Sequence, residues 1–428
     1  MVYGRLSAVM IASSLLLAAA SSPTGGGRAT AGDPVDLATG LNVREHDDIV
    51  VPGEPKIELH RTFGGGWGSR SRAFGIATSH SFDVFLVAAG SEEATKETKR
   101  IDLVLPDGGR IPFVRTSPGT GHTGAVLMHA GTPSDFHGSR LRWTDPGWEL
   151  DLVNGSRYTF PACGAGMVRA EQCALIGYRD GQGRSLRFDR GANGDLRRVS
   201  SGWFRGINFR YDSAHRIVRA DTGWGLSMTT VDYAYDAGGR LASVKSRRLS
   251  VWSVLFGLIY AYEMRQLPSL ERMSIRYDAE YTYDEEHRLR RAREPGMELN
   301  HEYDAAGRVI RQDVAGWGSW TFTYTQGADG KVTQTDLVDP DGLHRRVVFN
   351  TDGYPQSDAM SVGQPDERVT RFERAPGGNI VSRITVECRS ASGAPVSVTA
   401  PVERESADAV EEQLHEQCEQ QREATTRR

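Results

Sequence analysis

This sequence is poor in lysine, in cysteine and in long apolar runs, and each scarcity excludes something. Of its 51 basic residues only 5 are lysine, and the formal net charge is −4. No electrostatic footprint for nucleic acid follows from such a balance, and the preference for arginine carries no functional weight. Beyond the first 20 residues no apolar run reaches the ~20 residues needed to span a bilayer. The longest, from Val251 to Met264, reads as buried strand. The four cysteines, Cys163, Cys173, Cys388 and Cys418, lack CxxC spacing and have no HxxxH companion, which leaves a metal site poorly supported. No nucleophile elbow surrounds Ser79 or Ser81, the serines that flank His80.

The chain does have glycine, 48 residues of it, and a motif that recurs. Tyr303-Asp304-Ala305-Ala306-Gly307-Arg308-Val309 repeats Tyr235-Asp236-Ala237-Gly238-Gly239-Arg240-Leu241, with looser copies at Tyr211-Asp212 and Tyr283-Asp284. Before each aromatic, large residues alternate with polar ones, as at Leu299, His301 and Tyr303. That is the period of a strand with one buried face. Asp then opens a turn, Gly supplies a positive φ, and a second strand follows. Aligned on Phe188, Tyr211, Tyr235, Tyr283, Tyr303, Tyr324, Phe349 and Phe372, the steps are 23, 24, 48, 20, 21, 25 and 23 residues. The step of 48 predicts a degenerate unit containing the apolar run at 251–264. The array then holds about nine hairpins and some eighteen strands.

Candidate chemistry has a plainer reading at each position. Asp212, Asp236, Asp284 and Asp304 can accept backbone N–H bonds within their own turns. Arg216, Arg240, Arg288 and Arg308 would form rows of charge beside them, each exposed pair contributing roughly 0–1 kcal/mol. His215 and His287 stand where Gly239 and Gly307 stand in the other copies, so they are turn residues. His301 belongs to the aromatic row. Ser79 and His80, adjacent on a strand, face opposite ways.

The opening Asp33-Pro34-Val35-Asp36-Leu37-Ala38-Thr39-Gly40, the strand Leu59-His60-Arg61-Thr62-Phe63 and the segment Phe74 to Asp83 resemble the N-terminal cap module of bacterial RHS proteins. The repeated Tyr-Asp motif resembles the YD repeats that follow that cap, so the resemblance covers residues 33–385. One departure is that Ile76-Ala77-Thr78 fills the place of a Gly-Trp pair, while Gly66-Trp67 stands earlier. Asp339-Pro340-Asp341-Gly342-Leu343 looks like the signature at which toxin-bearing RHS proteins cleave themselves. Two repeat-like units follow it here, so it reads as an ordinary turn and the cleavage role is not carried over.

The expected organisation is a Sec-type signal peptide at 1–20, a linker at 21–32, a cap module at 33–172, a YD-repeat array at 173–388 and a linker with a charged helical tail at 389–428. Arg5, the apolar run Ala8 to Ala20 and the small residues at its end carry the signal assignment. The fold class is all-β: a spiralling sheet of stacked hairpins, an open strip or part-shell plugged at one end by the cap. Export permits disulfides, with neighbour pairing the simplest of three connectivities and buried thiols the other option. Val410, Leu414 and Cys418 share one face of the tail, which reads as a solvated helix. The alternative is that it docks across the open end with Cys418 bonded to Cys388.

The resemblance implies toxin delivery or shielding, or contact and carbohydrate binding at the cell surface. No cargo domain is visible. The leading expectation is a non-enzymatic binding or scaffold module for a glycan or polypeptide, in the periplasm, at the cell surface or outside the cell, with neither cofactor nor metal. The alternative is a shell for a separately encoded toxin, or an association with an envelope protein.

Overall fold

The computed structural model describes residues 29–63, 68–88, 98–131, 134–163, 169–222, 227–250, 275–375, 380–390, 393–402 and 407–426. The expected signal peptide therefore lies outside the described residues, as do Gly66-Trp67 and the run at 251–264.

Alternation is realised strand by strand. In Met297–Tyr303 the buried positions are Leu299 and His301; in Gly318–Gln326 they are Trp320 and Phe322. Each polar neighbour faces out. Every strand from Phe85–Ala88 to Pro395–Pro401 pairs antiparallel with its neighbours in sequence, which gives one sheet of 25 strands. The sheet is open: among the described residues no register joins its first strand to its last. It curls early, however. Phe85 bridges Ala174, and Leu175 N–H donates to Val84 O at 2.9 Å.

Residues 29–83 are not part of this sheet. They form a three-stranded sheet (Glu45–Val51, Ile57–Phe63, Thr78–His80) and two short ribbons. We expected a plug at one end. Instead this segment runs along the concave side of the strip. Ile217 N–H donates to Ala73 O at 2.7 Å, Val309 N–H to Gly40 O at 2.8 Å, and Arg345 Nη1 to Thr30 O at 3.0 Å. Phe74 meets Tyr233 at 4.6 Å between ring centroids, and Phe63 meets Tyr281 at 4.9 Å. One hydrophobic core joins this segment to strands from Leu86 to Phe349. Burying a large apolar side chain contributes roughly 1.5–3 kcal/mol, so the concave face is the main source of stability.

Four expectations are corrected. The sheet does not break at residue 172: strands between Phe85 and Pro161, assigned to the cap, belong to the same ladder as the repeats. The ninth unit is absent from the ladder. Leu241–Ser250 pairs directly with Ile275–Tyr283, Val244 opposite Ala279, so no strand lies between them in the ladder, and residues 251–274 lie outside the described residues. The stretch expected as a linker supplies the last strand, Pro395–Pro401, paired along Val381–Arg389. And the tail docks. The helix Ala407–Thr426 buries Val410, Leu414 and Cys418 against Phe372, Ile384, Val386, Cys388 and Val398. These residues extend past the concave segment, and a helix with one apolar face is the cover they require. Among the described residues no helix is long and apolar enough to cross a membrane.

Candidate functional site

The Tyr-Asp-x-x-Gly-Arg turns line one rim of the strip. At Asp304 the carboxylate Oδ1 accepts Ala306 N–H and Arg308 N–H, each at 2.9 Å, and Oδ2 accepts Arg308 Nε at 2.7 Å. Gly307 N–H returns to Asp304 O at 3.0 Å, with φ of 83°. Asp236 and Arg240 repeat the arrangement, with Gly239 at φ 80°, and so do Asp212 with Arg216 and Asp284 with Arg288. Burial pushes the Asp304 carboxyl up. The backbone and side chain of Arg308 outweigh that and hold it below the usual carboxylate range. His215 and His287 have φ of 60° and 65°, the left-handed geometry of the glycines they replace. The charges expected along the rim recur there, each arginine paired with the aspartate of its own turn.

What remains of each arginine reaches the next unit. The guanidiniums of Arg216, Arg240, Arg288 and Arg308 lie over the rings of Tyr235, Tyr283, Tyr303 and Tyr324, at 4.4, 5.3, 4.8 and 5.0 Å from the centroids. The tyrosine hydroxyls then donate back to the strand that follows the arginine. Tyr235 reaches Ile217 O at 2.5 Å, Tyr283 reaches Leu241 O at 2.8 Å, and Tyr303 reaches Leu289 O at 2.7 Å. Tyr211 instead accepts Leu196 N–H at 3.1 Å. The motif is thus a latch between successive hairpins.

Sequence alignment missed two members of this set. In the last unit the pair is exchanged: Tyr354 occupies the arginine place and Arg374 the tyrosine place, with the guanidinium 5.1 Å from the ring and Nη2 donating to Pro355 O at 2.7 Å. Phe372, used to align this unit, lies two residues too early. On the opposite rim Asp180 and Arg184 build the same turn without a tyrosine. Asp339 builds it again, its Oδ1 accepting Asp341 and Leu343 N–H at 2.9 and 2.8 Å. Asp339 to Leu343 is therefore an ordinary turn in geometry, and the strand His344–Phe349 follows it.

The other polar residues singled out are held in structural bonds. His80 sits among Phe74, Phe82 and Phe209, and burial lowers its pKa to about 4. Ser79 Oγ donates to Asp83 at 2.6 Å and Ser81 Oγ to Glu58 O at 2.6 Å, so neither hydroxyl is bonded to that imidazole. His301 Nδ1 faces Leu289 O at 3.0 Å while Nε2 faces Gln312 at 2.8 Å and Asn42 at 3.3 Å. Burial lowers its pKa to about 4 as well. Arg61 is fully buried, doubly bonded to Asp48, whose other donors are Tyr233 and His46. Tyr281 extends the chain from Arg61 to Glu294, and Arg44 continues it to Asp33. This network bonds the concave segment to the strip. Cys163 and Cys173 have Cα atoms 5.3 Å apart, and Cys388 and Cys418 6.4 Å. Both are within disulfide reach. Among the described residues no group of three or more His, Cys, Asp or Glu could hold a metal ion.

A recess opens where the coil meets itself. The hairpin turn at Leu105 to Ile111 approaches the latch rim at 306–308, 326–332 and 352–354, with Asp36 to Thr39 between them. The cleft holds about 720 Å³. Arg110, Arg308 and Lys331 supply cations, Asp107 and Asp352 carboxylates, and Tyr354 an aromatic ring. Arg308 Nη1 is buried without a hydrogen bond. In Arg240 and Arg288 the same atom donates to the carbonyl opening the next turn. Past Arg308 the next turn begins at Gly327, two residues later relative to Tyr324, and that acceptor is displaced.

A family described as "Domain of unknown function (DUF6531)" matches residues 32–113, under a fifth of the chain. None of the curated proteins matches. Among solved structures, the chain is similar to a crystal structure of TcdB2-TccC3-TEV, at 12% identity over 88% of this chain and 22% of that one, with a TM-score of 0.34. It is similar also to TcdB2-TccC3 without its hypervariable C-terminal region, at 11% identity over 86% and 22%, TM-score 0.34. A porin-like protein from Bacteroides uniformis is similar at 9% identity over 66% and 96%, TM-score 0.19. The chain spans less than a quarter of the length of the first two. Likenesses at these scores carry no argument about function.

Proposed function

We propose that this chain is an exported, non-catalytic repeat protein that binds a ligand in the seam cleft, and that the ligand is a short glycan. The observation that supports this reading most is the filled concave face. Residues 29–83 and the C-terminal helix cover the aromatic rows that an open strip would have offered to a ligand. The seam cleft remains as a recess of ligand size. Its guanidinium, ammonium and carboxylate groups match the donors and acceptors of sugar hydroxyls, and its tyrosine ring offers an apolar face. The sequence resemblance to RHS proteins supports export and surface contact, and the cysteine pairs suit an oxidising compartment. The alternative, a shell around a separately encoded toxin, needs a free concave side, so the covered face favours the binding reading.

A glycan array probed with the mature protein tests the proposal. A hit whose affinity falls at least tenfold in Arg110→Ala and Lys331→Ala supports it, since both side chains reach the cleft and neither belongs to the core. Array signal at background, or affinity unchanged in both variants, overturns it.

A further inference from the structure

The ladder has two outer edges, and they differ. Beside its first strand, Phe85 bridges Ala174 and Leu175 N–H donates to Val84 O at 2.9 Å. Its last strand, Pro395–Pro401, pairs along Val381–Arg389 and, among the described residues, with no other strand. Val402 N–H donates to Ser382 O at 2.9 Å, and Ser390 N–H to Ala394 O at 2.8 Å. Backbone groups of an antiparallel strand alternate between its two sides. The even-numbered residues therefore bond inward, and Val396, Val398 and Ala400 pack in the cluster under the C-terminal helix. Pro395, Ser397, Thr399 and Pro401 turn their backbone groups to the open side, and all four are exposed. Proline has no N–H, so the outward donors are those of Ser397 and Thr399. Charged side chains are a common guard of such an edge, and this strand has none.

We propose that this edge is an interface with a second copy of the chain, the two strands pairing antiparallel about a two-fold axis at Val398. A row of uncovered N–H and C=O groups is a template for another strand, and the sequence of this row fits itself. Pro-Val-Ser-Val-Thr-Ala-Pro reads nearly alike in both directions from Val398, with a proline three residues away on each side. In that register Ser397 faces Thr399 of the second copy, and the two exchange backbone bonds, N–H to O in both directions. The symmetry supplies this pair twice. The prolines then meet only each other, at the ends of the bonded window. A neighbouring register would set a proline ring against Ser397 or Thr399 with no N–H to offer, so the pairing is fixed at Val398. On the helix side the two Val398 residues lie together, and half-buried Val396 meets Ala400 of the second copy. Cross-strand contacts of this kind are what stabilise a sheet. The strand is short, so the dimer is weak and concentration-dependent. It goes beyond the glycan reading and does not need it, since the seam cleft is lined by other residues. A dimer would carry two such clefts, which raises avidity for a ligand long enough to reach both.

Sedimentation velocity of the mature protein over a concentration series tests it. The parent should pass from monomer to dimer as concentration rises. Amide exchange at Ser397 and Thr399 should slow in step, while the central strands exchange as before. Thr399→Pro removes an outward N–H and leaves the inward bonds intact. Thr399→Lys keeps the N–H and places a charge on the edge. Each should weaken dimerisation at least tenfold, with an unchanged melting profile of the dilute monomer. Pro395→Thr/Pro401→Thr should tighten it at least tenfold, because the bonded window lengthens at both ends. Arg110→Ala, in the seam cleft, should dimerise as the parent does. A parent that stays monomeric at every concentration overturns the proposal, and if the double proline variant alone dimerises, the prolines are a guard against pairing. A dimer that Thr399→Pro and Thr399→Lys leave unchanged overturns it too, because the contact then lies elsewhere on the molecule.

Discussion

At the scale of single residues, the motif divides its work between a turn and a latch. Asp304 and Gly307 shape their own turn, while Arg308 and Tyr303 tie neighbouring hairpins. The glycines show how differently two positions with similar φ can respond. A Cβ at Gly307 would meet nothing closer than Arg288 Cδ at 3.8 Å, so Gly307→Val should cost roughly 1–2 kcal/mol from its left-handed backbone alone. A Cβ at Gly40 would lie 2.5 Å from Arg308 Cβ and 3.0 Å from Tyr324 Cζ. Gly40→Ala should cost more, about 2–4 kcal/mol, because overpacking adds to the strain. Urea unfolding of the two variants should rank them in that order. The Asp-Gly-Arg part was legible in the sequence because a turn is specified by five neighbouring residues. The exchange at Tyr354 and Arg374 was not, because only the pairing of adjacent hairpins shows that the two side chains have traded places.

At the scale of elements, the hairpin period was visible and its interruption was misleading. A 48-residue step looks like two units when the period is near 24, and only the register of Val244 against Ala279 shows that nothing is inserted in the ladder. The C-terminal helix shows the reverse case. Its apolar stripe was visible, but a stripe of Val410, Leu414 and Cys418 does not say whether a surface exists to receive it. The last strands supply that surface, since Ile384, Val386 and Cys388 would otherwise face water. Leu414→Ala should destabilise the terminal unit by about 2–4 kcal/mol, read as faster hydrogen exchange in residues 381–401 with the central strands unaffected. Mass mapping without reductant should find the Cys388–Cys418 peptide pair. For a separation of 30 residues, that bond contributes roughly 3–4 kcal/mol in the chain-entropy account.

At the scale of the whole molecule, the strip is held to its concave segment by groups that are sensitive to pH. His80 lies within that segment and stacks on Phe209 of the strip. His301 lies in the strip and faces Asn42 of the segment. Burial depresses both pKa values to about 4 from 6.5. The unfolded chain therefore binds these protons first as pH falls. The stability that their neutral forms support is complete above pH 6.5 and is lost between 6.5 and 4, roughly 3 kcal/mol for each at most. The melting temperature should fall across that window, and His301→Gln should flatten the fall. The turn aspartates act lower, because Asp212, Asp236 and Asp304 are held below 3.8 and their stability is lost only as pH falls past their depressed values.

The sequence alone determined the strands of the array, the turns between them and the residue that bends each turn. Alternation of period two and a five-residue turn are local, and every copy states them again. It also carried the apolar stripe of the tail and the neighbour spacing of the cysteines. Only the tertiary structure decided that residues 29–83 line the concave face, that the helix covers its end, and that hairpins some 200 residues apart meet at a seam. The difference is physical. A strand or turn is stabilised by neighbours along the chain, so its signal is written there. What a face packs against, and which recess is left open, depends on how far the whole ladder twists and coils, and no short stretch of residues encodes that.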